Sequence, residues 1–335
     1  MTAERSIVEV AELGPGIAWA FDFDEYGRAR VLPTDQPVDF QHGRRFVWLH
    51  VALANARSRD WIRAQDAIDP EARELLLSQD SHPRVEWRGD RLWGTIYDIQ
   101  YEPESASDEP TDLRFVLTPQ YLLTARHHAI HSAHRLKRQI DDGAGFESSG
   151  ALLEAMFAAV ADSIGSATQR ISVDLDSIED RVLSETLFDD RAPLLKLRRT
   201  ISRQNRVVHA IRSVLERLEQ PRAEGALEVY RALAARVGQR IAALQADVHV
   251  VSDRARMLQD EMAAQLATAT NRNLFILTIV TTILLPPAFV TGFFGMNTKG
   301  LPFGDSDYGT LYAAILCGAA AVFVYLLIRR YRMFA

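Results

Sequence analysis

The sequence contains a single cysteine, Cys317, so the chain cannot form an intramolecular disulfide bond. Cys317 lies within an apolar stretch, and a zinc site built from several thiolates is excluded because no second cysteine is present. The redox state of the compartment therefore places no constraint on the fold, and a chain with its bulk in the cytoplasm is allowed.

The sequence also has no excess of positive charge. It carries 38 Lys and Arg against 44 Asp and Glu, a formal net charge of -6, which argues against binding to nucleic acid. The charged fraction of 24% is that of a soluble protein, but the charges are dense up to Arg272 and nearly vanish afterwards. Most of the chain is therefore expected in water, with a different environment for its last part.

The usual signatures of enzymes are missing. We find no glycine-rich phosphate loop, no Ser/His/Asp arrangement at a recognisable spacing and no cysteine cluster. We predict that the chain is not an enzyme and has no resident cofactor. Its first thirty residues include several acids and no continuous apolar run, so we expect no cleaved secretory signal and an N-terminus that stays inside.

Two long uncharged runs are present, at residues 274–294 and 309–328. At about 1.5 Å per residue, each run is long enough to cross roughly 30 Å of hydrocarbon as a helix. The alternative is a pair of helices buried in a soluble core, but core helices of this length seldom lack a polar face. We predict two transmembrane helices joined by a short external loop.

Basic residues flank the two runs on the side away from the connecting loop: Arg272, Arg329, Arg330 and Arg332. The loop has one lysine, Lys299, against Asp305 and Asp307. The positive-inside rule therefore predicts that both termini are cytoplasmic and that the protein is a multi-pass protein of the plasma (inner) membrane.

Pro286 and Pro287 interrupt the first run and would leave helix carbonyls without donors. Neighbouring helices or a water-filled lumen can satisfy these carbonyls, so we expect the first span to line something wet. Four threonines in the run support this weakly, since such hydroxyls also bond to their own backbone: Thr278, Thr281, Thr282 and Thr291. One hairpin cannot enclose a pore, so transport would require several copies around an axis.

Before the first span, apolar residues recur in alternating steps of four and three from Tyr230 to Met262, which is a heptad seam. No proline occurs between Pro221 and Pro286, so a helix beginning near Ala223 could run unbroken into the membrane. Its seam must then pack on copies of itself or on the preceding helices. The alternative is a break near Gly238 or His249.

Upstream of this stalk, residues 149–222 show two amphipathic stretches, typical of an antiparallel helix pair. Acids on the first stretch could gather a cation, but we interpret them as a solvated face: Asp162, Asp174, Asp176, Glu179 and Asp180. Before residue 149, segments rich in β-branched and aromatic residues predict strands at 46–53, 91–102, 113–118 and 121–127. Between the first two, Pro70 is at the start of a predicted helix, which gives an α/β domain with a mixed sheet.

Three groups are candidate metal ligands. Gly295-Met296-Asn297 follows the first span directly, and a ring of Asn297 amides from several copies could accept hydrogen bonds from a hydrated cation; the alternative is an ordinary turn. His127, His131 and His134 would share one face of a helix at a spacing compatible with zinc, although we favour a solvated basic helix as their explanation. Asp253 and Asp260 lie one heptad apart on the stalk and could form carboxylate rings or a solvated face.

Together these residues resemble the CorA family of divalent metal-ion transporters. The resemblance rests on WLHV, HPRVEW, LTPQYLLTARH and GFFGMN in the order seen here, and it covers nearly the whole chain. It implies a homopentamer in which Gly295, Met296 and Asn297 form the selectivity filter. It also implies that one face of the first span lines the pore, comprising Leu274, Leu277, Thr281, Leu285, Ala288 and Gly292.

The segment after the motif, TKGLPFG, resembles the ZntB zinc-transporting branch of the family, in which proton coupling is implied. We therefore predict a zinc transporter whose partners are copies of itself, membrane lipid and divalent ions, with a CorA-type magnesium, cobalt or nickel channel as the alternative. Arg236 falls where magnesium-regulated relatives carry a metal-sensing carboxylate, so that form of gating gains no support. In a third hypothesis, the hairpin only anchors a metal sensor or scaffold.

The predicted architecture is an α/β cytoplasmic domain with a mixed sheet, a long helical stalk and two C-terminal transmembrane helices. In order along the chain, its parts are the α/β domain, a helical hairpin, the stalk, the first span, the external loop, the second span and a basic tail. They occupy residues 1–148, 149–222, 223–273, 274–294, 295–308, 309–328 and 329–335.

Overall fold

The computed structural model describes residues 17–33, 45–101, 109–183, 191–219, 227–296, 302 and 308–330. The chain divides into two compact units, Met1–Leu258 and Gln259–Ala335. The first unit holds a β-sheet covered by helices, and the second holds the two apolar helical segments.

The described part of the first unit contains a seven-stranded sheet in the order β2-β1-β3-β7-β6-β5-β4. The strands are β1 (Ile17–Phe23), β2 (Ala29–Val31), β3 (Phe46–Ala52), β4 (Arg84–Arg88), β5 (Arg91–Ile99), β6 (Pro110–Leu117) and β7 (Tyr121–Arg126). Neighbouring strands are antiparallel except β3 and β7, which are parallel with Val47 opposite Tyr121 and Ala52 opposite Arg126. The prediction of a mixed sheet is therefore confirmed.

Seven helices accompany the sheet in the described residues. They are α1 (Ala56–Ala64), α2 (Pro70–Leu77), α3 (His131–Asp141), α4 (Ser149–Leu183), α5 (Arg191–Glu219), α6 (Leu227–Phe294) and α7 (Gly309–Arg330). The Asn55 side chain caps the start of α1, and the Asp69 side chain caps α2 immediately before Pro70. Proline suits this position because the first N–H groups of a helix have no intrahelical partner.

Arg114 closes the other end of α2. This fully buried side chain on β6 donates from Nε to Asp112 Oδ2 at 2.6 Å, and from Nη1 to the carbonyls of Leu76, at 2.9 Å, and of Ser78. The last carbonyls of a helix have no intrahelical donor, and a cation is favoured there by the helix dipole. Arg114 thereby fixes α2 against the sheet.

The helices that follow the two parallel strands pack on opposite faces of the sheet. After β3, α1 and α2 bury Trp61, Ile62 and Leu76 against Leu49 and other residues of one face. After β7, α3 buries its apolar residues in the cluster on the other face, which also contains α4 and parts of α5 and α6: Ala133, Leu136 and Ile140. The chain thus changes faces of the sheet between β3 and β7.

The N-terminal part of α6 packs on α4 and α5. The residues of the predicted seam are buried within the first unit except half-buried Leu244: Tyr230, Ala234, Val237, Ile241, Val248, Val251, Ala255 and Leu258. At the crossing with α4, a Cβ atom on Gly165 would lie only 3.1 Å from Leu244 Cδ2. The seam is therefore occupied by the preceding helices, and α6 shows no break at Gly238 or His249.

Candidate functional site

Three described helices are long and apolar enough to cross a membrane, judged by length and composition: α4, α6 and α7. Half of the apolar window of α4 is buried within the first unit, because α4 packs on the sheet and on α3. The windows of α6 and α7 are not buried at all. Packing thus accounts for the apolar residues of α4, whereas no residue of the apolar windows of α6 and α7 is fully buried in the single chain.

Within the second unit, α6 and α7 pack through one face of each. The half-buried residues of this part of α6 are Ile279, Ile283, Pro286, Pro287, Val290 and Phe294. Those of α7 are mostly small residues: Gly309, Ala313, Cys317, Ala320, Ala321 and Val324. Cys317 Sγ lies 3.8 Å from the carbonyl oxygen of Pro287. Small residues allow two membrane helices to approach closely, which explains the composition of this α7 face.

The face of α6 predicted to line a pore lies on the other side of the helix. At about 100° per residue, Leu274, Leu277, Thr281, Leu285, Ala288 and Gly292 fall within one sector, roughly opposite the half-buried face. All six are exposed in the single chain, and Leu285 is the most exposed of the three leucines, at 68%. A Cβ atom built on Gly292 would meet no atom within 4 Å. The sector is therefore free to face other copies or water.

The polar groups along the first span are largely satisfied by the helix itself. The hydroxyls of Thr278, Thr281, Thr282 and Thr291 each donate to a backbone carbonyl three or four residues earlier. Since Pro286 and Pro287 have no N–H group, the helix supplies no N–H for the carbonyls of Thr282 and Ile283. The polar groups that the helix leaves without a partner are therefore those two carbonyls, and not the threonine hydroxyls.

The helix ends one residue before the Gly-Met-Asn motif. Gly295 N–H donates to the Thr291 carbonyl at 2.9 Å, and Met296 N–H donates to the Phe293 carbonyl at 3.4 Å, so both residues continue the last turn. Met296 is exposed. Asn297 lies outside the described residues, and its role as the filter amide stays a prediction.

The structure corrects the arrangement predicted for the histidines. His127 lies between β7 and α3 rather than in the helix, and its Nδ1 is 3.5 Å from Asp112 Oδ2. His131 and His134 are on α3, where both rings contact Tyr101. The three residues do not share a helix face, because the chain turns at 127–130 before α3 begins. Among the described residues, no group of three or more His, Cys, Asp or Glu is placed to hold a metal ion.

The stalk carboxylates Asp253 and Asp260 are exposed on α6, as both of their interpretations require. Three of the acids on α4 are instead paired. Asp162 contacts Arg135 at 2.9 Å and also Arg240, whereas Asp176 and Glu179 contact Arg254 Nη2 at 2.6 and 2.8 Å. Those three are therefore bound to arginines and are not a cation site.

Arg236 forms a two-pronged ion pair with Glu154 of α4, with both distances 2.6 Å. The paired carboxylate raises the pKa of Arg236, chiefly through these hydrogen bonds. The side chain at position 236 is thus a permanent cation paired within the same chain, and its guanidinium cannot ligate a metal ion.

A polar cluster that sequence reasoning missed lies on the α3 face of the sheet. His50 is fully buried, its Nδ1 is 2.8 Å from Thr124 Oγ1, and its Nε2 accepts from Arg126 Nε at 2.9 Å. Burial, followed by the charge of Arg126, lowers the pKa of His50 well below its usual value. His50 is therefore neutral, with the proton on Nδ1 and the lone pair of Nε2 directed at Arg126.

Comparison with known proteins agrees with the fold. The family model described as CorA-like Mg2+ transporter protein matches residues 43–330. The chain belongs to this family. Among curated members, the Zinc transport protein ZntB of Photorhabdus laumondii is 24% identical over 277 residues, covering 83% of this chain and 84% of that protein.

Two solved structures match nearly the whole chain. The full-length CmaX protein matches with a TM-score of 0.79 at 22% identity, covering 95% of this chain and 98% of that one. The CorA magnesium transporter of Methanocaldococcus jannaschii matches with a TM-score of 0.78 at 21% identity, covering 93% and 97%. These likenesses confirm the CorA-like fold class.

Proposed function

We propose that this chain is one subunit of a homopentameric inner-membrane transporter for divalent metal cations, with zinc as its main ion and coupling to protons. The observation that carries the proposal is the exposed, uncharged face of α6 that runs from Leu274 to Gly292 and ends at Gly295 and Met296. A helix face that stays unpacked in one chain and leads to a neutral polar motif suits a pore wall shared between copies.

Zinc is favoured over magnesium by three features. The curated relative from Photorhabdus laumondii is named as a zinc transport protein, and the stretch 298–304 after the motif carries no acid. Arg236 is moreover held by Glu154, so this position offers no carboxylate for regulation by magnesium. The magnesium, cobalt or nickel channel remains the second candidate, since the family model and the Methanocaldococcus jannaschii neighbour both carry magnesium in their descriptions.

Uptake into proteoliposomes tests the ion and the coupling. We expect zinc to enter, to enter faster with an inward proton gradient, and to be slowed by competing zinc analogues more than by magnesium. Rapid magnesium entry without zinc entry would favour the second candidate. No flux of any divalent ion in well-sealed vesicles would favour the sensor or scaffold hypothesis.

The filter prediction is tested with Asn297→Ala. Loss of the amide removes the oxygen proposed to replace water around the ion, so we expect zinc flux to fall at least tenfold while the pentamer survives in cross-linking and size-exclusion measurements. Thr298→Ala, which changes the neighbouring side chain and keeps the motif, serves as the matched control. Wild-type flux in Asn297→Ala would remove this residue from the filter.

The pore face is tested by thiol accessibility. Cys317 is the only cysteine, so Cys317→Ser provides a thiol-free background for Leu285→Cys and Val280→Cys. Both positions are exposed in the single chain, but Val280 lies about 100° from the centre of the predicted pore face. We expect a charged, membrane-impermeant thiol reagent to modify position 285 and block flux, and to leave position 280 unmodified. Equal modification at both positions would contradict the assignment.

A further inference from the structure

The crevice at the carboxyl ends of β3 and β7 is the site of a further inference. Leu53 N–H donates to the Arg126 carbonyl at 2.7 Å, so the two parallel strands end side by side. The helices that follow them lie on opposite faces of the sheet. In open α/β sheets, the crevice outside such a change of direction is where ligands bind.

Arg126 is the charged side chain at this edge. It is half-buried, and its Nε is fixed by the 2.9 Å bond to the neutral Nε2 of His50. No described carboxylate pairs with its guanidinium, and its terminal nitrogens have no acceptor among the described residues. Burial lowers the pKa of Arg126, which reflects an incompletely compensated cation. An arginine held at Nε presents its two terminal N–H groups as a fixed fork.

Basic side chains of α3 also lie near the crevice. The pKa of His134 is lowered by burial first and then by Arg126, His131, Lys137 and Arg138. The nearest acids of α3, β5 and β6 are engaged elsewhere, and Asp112 of β6 pairs with Arg114 at 2.6 Å. Asp141 pairs with Lys137 at 2.5 Å, and Asp98 accepts from Ser132 at the start of α3. The local field therefore favours an anion.

The crevice also contains an unused donor. The Trp19 ring stacks on His50 with centroids 4.3 Å apart and contacts the His134 ring edge-to-face at 5.3 Å. Trp19 is buried, with 7% exposure, and its Nε1 has no hydrogen-bond partner among the described residues. Buried N–H groups normally have a partner, so this one indicates that an acceptor belongs nearby.

We propose that this crevice binds a phosphate group, with the Arg126 fork, the Trp19 N–H and the His134 imidazole as its donors. Both oxygens of a carboxylate would accept hydrogen bonds from the guanidinium fork, which leaves no further oxygen for another donor. A phosphate has further oxygens for donors that come from β1 and α3. The proposed ligand is either free inorganic phosphate or the phosphate of a nucleotide, whose base would meet the exposed part of the Tyr101–His134 stack.

Calorimetric titration of the full chain in detergent tests the proposal, with inorganic phosphate and AMP as separate probes. Arg126→Gln keeps an amide that can donate to His50, and we expect it to weaken phosphate binding at least tenfold. Trp19→Phe keeps the ring and removes the N–H, and we expect about fivefold weaker binding. Arg63→Gln removes the same charge from an exposed pair with Asp60 and should leave binding within twofold.

Near-UV circular dichroism checks that each variant keeps the tryptophan packing of the wild type. If AMP and phosphate bind the wild type with equal affinity and neither binds Arg126→Gln, the proposal is supported with free phosphate as the source. Tighter binding of AMP, lost in the same variant, supports it with a nucleotide as the source. Absence of phosphate and AMP binding at millimolar concentration in the wild type would overturn it. So would equal weakening in Arg63→Gln and Arg126→Gln.

Discussion

Replacement of Asp98 by asparagine should remove a pH-dependent part of the stability of the sheet unit. Asp98 is fully buried on β5, where it accepts hydrogen bonds from Ser132 Oγ at 2.5 Å, from Ser132 N–H at 3.2 Å and from Ile99 N–H at 2.7 Å. Through Ser132 it caps the first turn of α3. Burial raises the pKa of Asp98 to about 6, although these hydrogen bonds oppose the rise.

The magnitude follows from the difference in pKa between the folded and unfolded chain. The ordinary value is 3.8, so folding raises the pKa by about two units, which corresponds to about 3 kcal/mol. Between about pH 4 and pH 6 the folded state holds a proton that the unfolded state has released. The free energy of unfolding therefore gains this amount as the pH falls from 6 to 4 and loses it as the pH rises again.

The gain should be absent in Asp98→Asn, because the amide takes up no proton in this range. We expect the stability difference between wild type and Asp98→Asn to shift in favour of the wild type by about 3 kcal/mol from pH 7 to pH 4. Guanidinium unfolding of the full chain in detergent measures it. All five tryptophans precede residue 100, so their fluorescence reports on the sheet unit.

Asp80→Asn is the matched control. Asp80 is exposed, and the hydrogen bond from the His82 backbone N–H, followed by that of its ring, lowers the pKa of Asp80 to about 2. It stays ionised in the folded state from pH 4 to pH 7, and in the unfolded state it begins to take up a proton only near pH 4, so its stability difference from wild type should change little there. A flat difference for Asp98→Asn over the same range would refute the argument that burial dominates its pKa.

Two further substitutions separate buried from exposed ion pairs. Arg114→Leu should lower the free energy of unfolding by about 3 kcal/mol or more, because it takes the arginine partner from the buried Asp112 carboxylate and the side-chain donor from the α2 carbonyls. A loss below about 1 kcal/mol would contradict this role. Arg236→Ala should leave the unfolding midpoint unchanged despite its two 2.6 Å contacts with Glu154, since solvent screens an exposed pair; a large shift would show that this pair holds α6 to α4.

Features with a strong periodic pattern could be predicted from the sequence. The seam from Tyr230 to Leu258 is buried, as its heptad repeat indicates. It could be predicted because the spacing of neighbouring residues alone defines the apolar face of a helix. The central strands β3, β5, β6 and β7 were likewise predicted, since buried strands read as continuous apolar runs. The missed strands β1, β2 and β4 include both edges of the sheet, where β2 and β4 are short and partly exposed.

The histidine prediction failed because it assumed that one helix contained the whole spacing. The spacing of His127, His131 and His134 fits a helix, but β7 runs to Arg126, and the chain turns before α3 starts at His131. Periodicity does not locate such a boundary when the same residues end a strand. His127 consequently meets Asp112 on β6, whereas His134 meets Trp19 on β1.

The crevice could not be predicted because its residues come together only through strand register. Trp19 and His50 are paired across β1 and β3. His50 also lies opposite Thr124 across the parallel pair β3 and β7, and these two residues are 74 positions apart in the sequence. A signal was nevertheless present. WLHV and LTARH both place polar side chains within or at the end of an apolar strand, where a polar group is costly unless it has a partner. Two such strands in one sheet, if parallel, bring those groups to the same edge, and this makes His50 and Arg126 a pair that pattern reading could have sought.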